Sequence, residues 1–232
     1  MKEFYNKKAV IIYGSPGSGK STQAELLAKK FSFYHFDTGN YLRMLFANPV
    51  YKNNKEIQKE KQINESGRLN TPSFVLKIVK KATIHLAKNN SNIVFSGSPR
   101  TLFEAFGDSK HKGLMEILEK FYGKENIYVI FLNVNAQEAI KRNTSRLSCK
   151  FCDLSILGNS TITTCPFCGF QLTRRKDDNA NTMAIRLKEY KERTYPILNL
   201  LQKNKFHIYK INGLLKPYQI SEKISKILKL NK

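Results

Sequence analysis

Gly14, Ser15, Pro16, Gly17, Ser18, Gly19, Lys20, Ser21 and Thr22 follow directly on the apolar run Ala9 to Tyr13, and apolar residues at helical spacing (Ala24, Leu26, Leu27, Phe31) come next. Glycines at 14, 17 and 19 let backbone N–H groups crowd toward an anion. The helix starting near Ser21 aims the positive end of its dipole at the same point, and Lys20 adds a full charge. Strand, glycine-rich loop and amphipathic helix in that order make a cradle for the β- and γ-phosphates of a nucleoside polyphosphate, with Ser21 set to ligate Mg²⁺.

A second constellation is Cys149-x2-Cys152 and Cys165-x2-Cys168, which holds all 4 cysteines of the chain with 12 residues between the pairs. Clustered Cys-x2-Cys pairs are metal spacing, whereas disulfide frameworks scatter their cysteines. Four thiolates suit tetrahedral Zn²⁺ and leave no open position for water, so the predicted site is structural. It would staple a small segment whose own core is too small to fold. A zinc ribbon that contacts nucleic acid through Lys150, Phe151, Phe167 and Phe170 is the competing reading.

Both constellations must be positioned by 232 residues, enough for one sizeable α/β domain with insertions. The formal charge of +22 is spread along the whole chain and forms no single stripe. It reads as a solvated surface that steers anionic nucleotides, with no required nucleic acid. The N-terminal Met1 to Lys8 has no apolar signal segment, and no run of 18 apolar residues occurs. A cytoplasmic protein without membrane contact is expected. Short strands are expected at Tyr34 to Phe36, Ile93 to Phe95, Ile127 to Leu132 and Phe206 to Ile211. Between them, a largely helical pattern runs to about Asn90, broken by the polar stretch Tyr51 to Glu60, Gly67 and Pro72. Helices are also expected over Ala136 to Leu147, over Thr182 to Asn204 with an irregularity near Pro196, and at the C-terminus, where Ile220, Ile224, Ile227 and Leu228 share a face. Strands lacking polar alternation, interleaved with helices, predict a buried parallel sheet covered on both faces.

Four motifs in order resemble the adenylate kinases, in the form that carries a zinc-binding lid. They are the loop Gly14 to Thr22, then Thr38-Gly39-Asn40-Tyr41-Leu42-Arg43, then Gly97-Ser98-Pro99-Arg100-Thr101, and finally Arg174-Arg175-Lys176-Asp177-Asp178-Asn179 after the cysteine segment. The resemblance covers nearly the whole chain. It implies a P-loop NTPase fold with a five-stranded parallel sheet. The core would comprise 1–37, 71–147 and 175–232, with an acceptor-binding insertion at 38–70 and a lid at 148–174. The implied reaction passes the γ-phosphoryl group of Mg·ATP to AMP, giving two ADP, on a monomer. Carried over by position, Arg43 and Arg100 grip the acceptor phosphate, for which the guanidinium fork is suited. Arg142, Arg146, Arg175 and Arg186 surround the transferring group opposite Lys20, as positioning and positive charge dominate phosphoryl transfer. Thr38, with Gly39, faces the acceptor base, which also meets Leu69, Asn70 and Gly97.

The chain departs from the family pattern at four positions. Ser96 stands where an Asp usually precedes the Gly, Ser98 where an aromatic follows it, and Asn40 where an Asp is common. Mg²⁺ would then rely on phosphate oxygens, Ser21 and waters held by Ser96 or Asn40. Glu104 replaces the usual Gln that reads the adenine edge, and an ionised carboxylate only accepts hydrogen bonds. It suits the N6 amino group but not unprotonated N1. Two alternatives stay open: a kinase of the same fold acting on UMP or CMP, and a catalytically weak nucleotide-binding or nucleic-acid-associated zinc protein.

Overall fold

The computed structural model describes residues 7–149, 151–152, 155–157, 162–174 and 179–230. β1 (Ala9–Tyr13) is buried along its whole length, because five apolar side chains alternate between two covered faces. Ala9, Ile11 and Tyr13 pack on one side and Val10 and Ile12 on the other. β1 pairs in parallel with β3 (Ile93–Phe95) and β4 (Ile127–Asn133); β2 (Tyr34–Phe36) flanks β3, and β8 (Ile208–Asn212) flanks β4. The resulting order β2-β3-β1-β4-β8 is the expected five-stranded parallel sheet of a P-loop NTPase fold. The order in which successive strands are added reverses beside β1, which opens a crevice at the carboxyl ends of β1 and β3.

One face is covered by α1 (Lys20–Phe31) and α10 (Pro217–Ile227), through Ala24, Leu27, Ile220, Ile224 and the following Leu228. The other carries α4 (Pro72–Lys88), α5 (Leu102–Phe106), α6 (Leu114–Tyr122) and α9 (Tyr195–Lys203). Tyr122 is fully enclosed there, and its hydroxyl donates to the Ser91 carbonyl at 3.0 Å. Between β2 and α4 the chain forms α2 (Thr38–Ala47) and α3 (Lys55–Glu65). α3 takes in part of the polar stretch expected to interrupt the helices. Asn54 caps it by accepting from the Ile57 N–H at 3.1 Å, and Glu60 is buried on Asn70 and the Thr71 N–H. Polarity there is paired, so it breaks nothing.

The helix expected over Ala136 to Leu147 is shorter. α7 is Ala136–Thr144, and β5 (Arg146–Cys149) follows. The Ser145 hydroxyl donates back to the Lys141 carbonyl at 2.8 Å and competes with further helical bonds. β5 then pairs antiparallel with β6 (Ser155–Leu157) and β7 (Leu172–Thr173), so the cysteine segment holds a small sheet where a loop-rich stretch was expected. Downstream, α8 (Ala180–Glu189) widens into a π-helical stretch, Tyr190–Thr194, before α9. Pro196 donates no N–H and its ring crowds the preceding turn, and the wider turn absorbs both effects. The last strand begins two residues later than the hydrophobic pattern suggested. Among the described residues no helix is long and apolar enough to cross a membrane.

Candidate active site

The Gly14 to Thr22 loop leaves β1 and enters α1 at Lys20, at the sheet's crevice. A cleft of about 510 Å³ opens there, lined by the loop, by α2 and by the cysteine segment's β6. Gly17 sits at φ +85 with its Cα against α7; an added Cβ would lie 2.3 Å from Asn143 Nδ2 and 2.4 Å from the Ala139 carbonyl. Only glycine fits that approach. The side chains of Ser15 and Ser18 are buried beneath the loop, while Pro16, Gly19 and Thr22 line the cleft.

The Lys20 ammonium donates to the carbonyls of Gly14 and Ser15, both at 2.8 Å. Burial and the charges of Arg100, Arg186 and Arg146 hold its pKa well below the ordinary lysine range, with Asp37 opposing them. Four cations crowded at one spot repel each other, so the arrangement is stabilised by a polyanion bound among them. Arg142 stands apart from that group. Its Nε donates to Glu138 Oε1 at 2.8 Å and its Nη1 to the Gly213 carbonyl at 2.9 Å, which fixes its plane along the outer wall of the cleft. Arg175 lies outside the described residues.

Beyond the loop, the second and third motifs meet. Thr38 Oγ1 and Ser98 Oγ are 2.8 Å apart, and the Ser98–Pro99 peptide is cis. Gly39 and Gly97 keep this corner open: a Cβ on Gly97 would come within 3.1 Å of Arg100 Nη2, and one on Gly39 within 3.4 Å of Arg43 Nη1. Thr194, in the π-helical stretch, donates to the Arg100 carbonyl at 2.8 Å and anchors that segment. A smaller cavity of about 30 Å³ adjoins, walled by Thr38, Leu42, Leu69, Asn70, Val75 and Glu104. Asn70 spends its amide on Glu60, donating to its carbonyl and carboxylate at 2.7 and 2.8 Å. Glu104 is buried, accepting from the Arg100 N–H and the Thr101 hydroxyl, both at 3.0 Å. Burial raises its pKa above the usual carboxylate range, against those hydrogen bonds and the charge of Arg100.

The sequence reading passed over three groups. Asp37 N-caps α2, accepting from the Asn40 N–H at 3.0 Å, and its other oxygen lies 3.4 Å from Ser21 Oγ. Its position just before the Thr38-Gly39 pair, at the end of a strand, is the pattern of a helix cap. Ser21 Oγ is also 3.4 Å from Ser96 Oγ, which meets His35 Nε2 at 2.7 Å. The Tyr13 hydroxyl is buried in the cleft wall and has no hydrogen-bond partner among the described residues. Asn40, on the cleft side of α2, accepts at Oδ1 from Arg43 at 3.4 Å.

Cys149, Cys152, Cys165 and Cys168 have their sulfurs within 4.8 Å of one another, so they can hold one metal ion. Neighbouring sulfurs are 3.4 to 3.6 Å apart, near the ~3.8 Å edge of a tetrahedron with Zn–S bonds of ~2.3 Å. Outside the cluster, the Phe151 and Phe170 rings stack at 5.7 Å.

A family model described as adenylate kinase matches residues 12–206. The adenylate kinase of Mycoplasma capricolum subsp. capricolum is 33% identical over 199 residues, covering 84% of this chain and 87% of that protein. The adenylate kinase of Borrelia garinii subsp. bavariensis is 31% identical over 226 residues, covering 95% and 97%. That of Chlamydia trachomatis serovar D is 31% identical over 202 residues, covering 82% and 78%. A phosphate loop facing a cluster of arginines, on a fold and a length of chain shared with these relatives, makes this protein a nucleoside monophosphate kinase of the adenylate kinase family.

Proposed function

We propose that the chain transfers the γ-phosphoryl group of Mg·ATP to AMP, giving two ADP. The observation that carries the reading is the convergence of Lys20, Arg100, Arg146 and Arg186 at the mouth of the phosphate loop, next to a small cavity walled by Thr38 and Glu104. Charge of that density favours a transition state whose negative charge is spread over the transferring group. Arg43 and Arg100 hold the acceptor phosphate, Ser21 ligates Mg²⁺, and Arg142, fixed on the Gly213 carbonyl, serves ATP from the wall of the cleft. The four cysteines carry Zn²⁺. In this reading 38–70 is the acceptor insertion, 148–174 is the lid, and the remainder is the core. A coupled assay with Mg·ATP and each monophosphate in turn should give turnover with AMP well above the others; equal or greater turnover with UMP or CMP would displace AMP as the acceptor.

Glu104 sets how strictly the acceptor base is read. Both its oxygens accept hydrogen bonds within the chain, so in its ionised form it offers the cavity only further acceptor capacity. Adenine presents a donor at N6 beside an acceptor at N1, which a glutamine amide complements and a carboxylate half-complements. Glu104→Gln is expected to raise kcat/KM for AMP by about tenfold, the scale of one well-made hydrogen bond in a buried site. Acceptor profiles of the two proteins, measured side by side, check this; an unchanged preference would remove Glu104 from the base site.

A further inference from the structure

We infer that Asp37 is the carboxylate that holds the water shell of the nucleotide-bound Mg²⁺, with Ser96 and His35 completing the ring of polar groups around Ser21. The inference rests on the kinase reading above. Mg²⁺ dehydrates reluctantly and keeps several waters, so its sites pair substrate phosphates with one or two carboxylates. Such a carboxylate has to lie within a water's reach of the loop hydroxyl. Three described carboxylates line the cleft: Glu25, Asp37 and Glu189. Glu189 is paired with Arg193 at 3.1 Å, whereas Asp37 Oδ2 faces Ser21 Oγ.

Three further observations support the assignment. First, the separation of 3.4 Å is much longer than the ~2.6 Å of a charged O–H···O hydrogen bond, so Asp37 does not simply satisfy Ser21. Second, Asp37 is the negative charge set against Lys20 at the point where Arg100, Arg186 and Arg146 converge. Facing an incoming polyphosphate, it repels the ligand unless a divalent cation lies between them. Third, capping α2 occupies only Oδ1, and asparagine caps a helix as well as aspartate does. The cap therefore does not require the second oxygen or its charge, which is held among His35, Arg43 and Arg100 beside Ser21. Ser96, locked to His35 at 2.7 Å, presents its hydroxyl to the same point from β3's end, where it can orient a metal-bound water. Asn40 and Ser96 thus lack carboxylates in a site that has one at Asp37.

The test uses Asp37→Asn, which retains the cap and removes only the charge. Mn²⁺, a paramagnetic substitute for Mg²⁺, is titrated into the protein–ADP complex by EPR, and metal-free ADP binding is measured by calorimetry. The variant should hold Mn²⁺ roughly tenfold or more weakly in the ternary complex. Its metal-free ADP affinity should be unchanged or higher, since a repulsive charge has gone. Parental Mn²⁺ affinity in the variant would overturn the assignment, as would equal losses with and without metal, which would make Asp37 part of the scaffold only. Neither readout depends on turnover: a chain that bound Mn·ADP through Asp37 yet phosphorylated no monophosphate would sink the kinase reading and leave this one intact.

Discussion

Replacing Lys20 by alanine should lower turnover by two or more powers of ten. Each tenfold corresponds to ~1.4 kcal/mol of transition-state stabilisation, so the loss is about 3 kcal/mol or more, in the range found for removing a preorganised charged donor. The side chain is bonded to the loop's own carbonyls of Gly14 and Ser15, which hold its ammonium in the cleft before any ligand arrives. Its lowered pKa has a cause that a phosphate reverses: burial and three arginines disfavour the charge, and a bound polyanion restores it. Lys20→Ala should therefore act mainly on kcat, with a smaller effect on KM, because the charge matters most as the phosphoryl group moves. Thermal stability should hold or rise slightly, since the variant relieves repulsion among cations. Steady-state kinetics decide the point; near-normal turnover would remove Lys20 from the phosphate site.

The core was legible because its physics is local. Ala9 to Tyr13, Ile93 to Phe95 and Ile127 to Leu132 are apolar without alternation, and strands of that kind lie within covered parallel sheets. The phosphate loop was equally plain, since its glycines and Lys20 stand between an apolar strand and an amphipathic helix, and the structure adds that glycine at 17 is required by a close contact with α7. What escaped the sequence depended on partners distant in the chain. Arg146 to Cys149 continues a helical pattern, and only pairing with residues 155–157 and 172–173 makes it a strand. The metal's carboxylate was sought at 40 and 96, where the family pattern puts it. Asp37 satisfies an ordinary capping role, and its approach to Ser21 across 16 positions is created by the fold alone. Likewise Arg142 was named from the family pattern, but the Gly213 carbonyl that fixes its plane lies 71 positions away and meets it only in the fold.

Stripping the metal should unfold the cysteine segment while leaving the sheet of the core in place. Among the described residues, the buried apolar cluster at the three-stranded sheet β6-β5-β7 is Cys149, Cys165 and Leu172, and most of that is the metal site itself. So small a core cannot offset the ~1–2 kcal/mol per residue of backbone entropy lost on ordering. Four sulfurs this close also cannot all be thiolates without a cation between them, because like charges at such distances suppress ionisation. Metal analysis should give about one Zn per chain. After a chelator, or in Cys165→Ser, amide exchange over 146–173 should approach free-chain rates while β1 and β4 keep their protection. Turnover should fall in parallel, since Arg146 opens β5 and loses its place beside Lys20. Ready reaction of all four thiols in the metal-replete protein would contradict the zinc site, and undiminished protection after chelation would show that the segment folds without it.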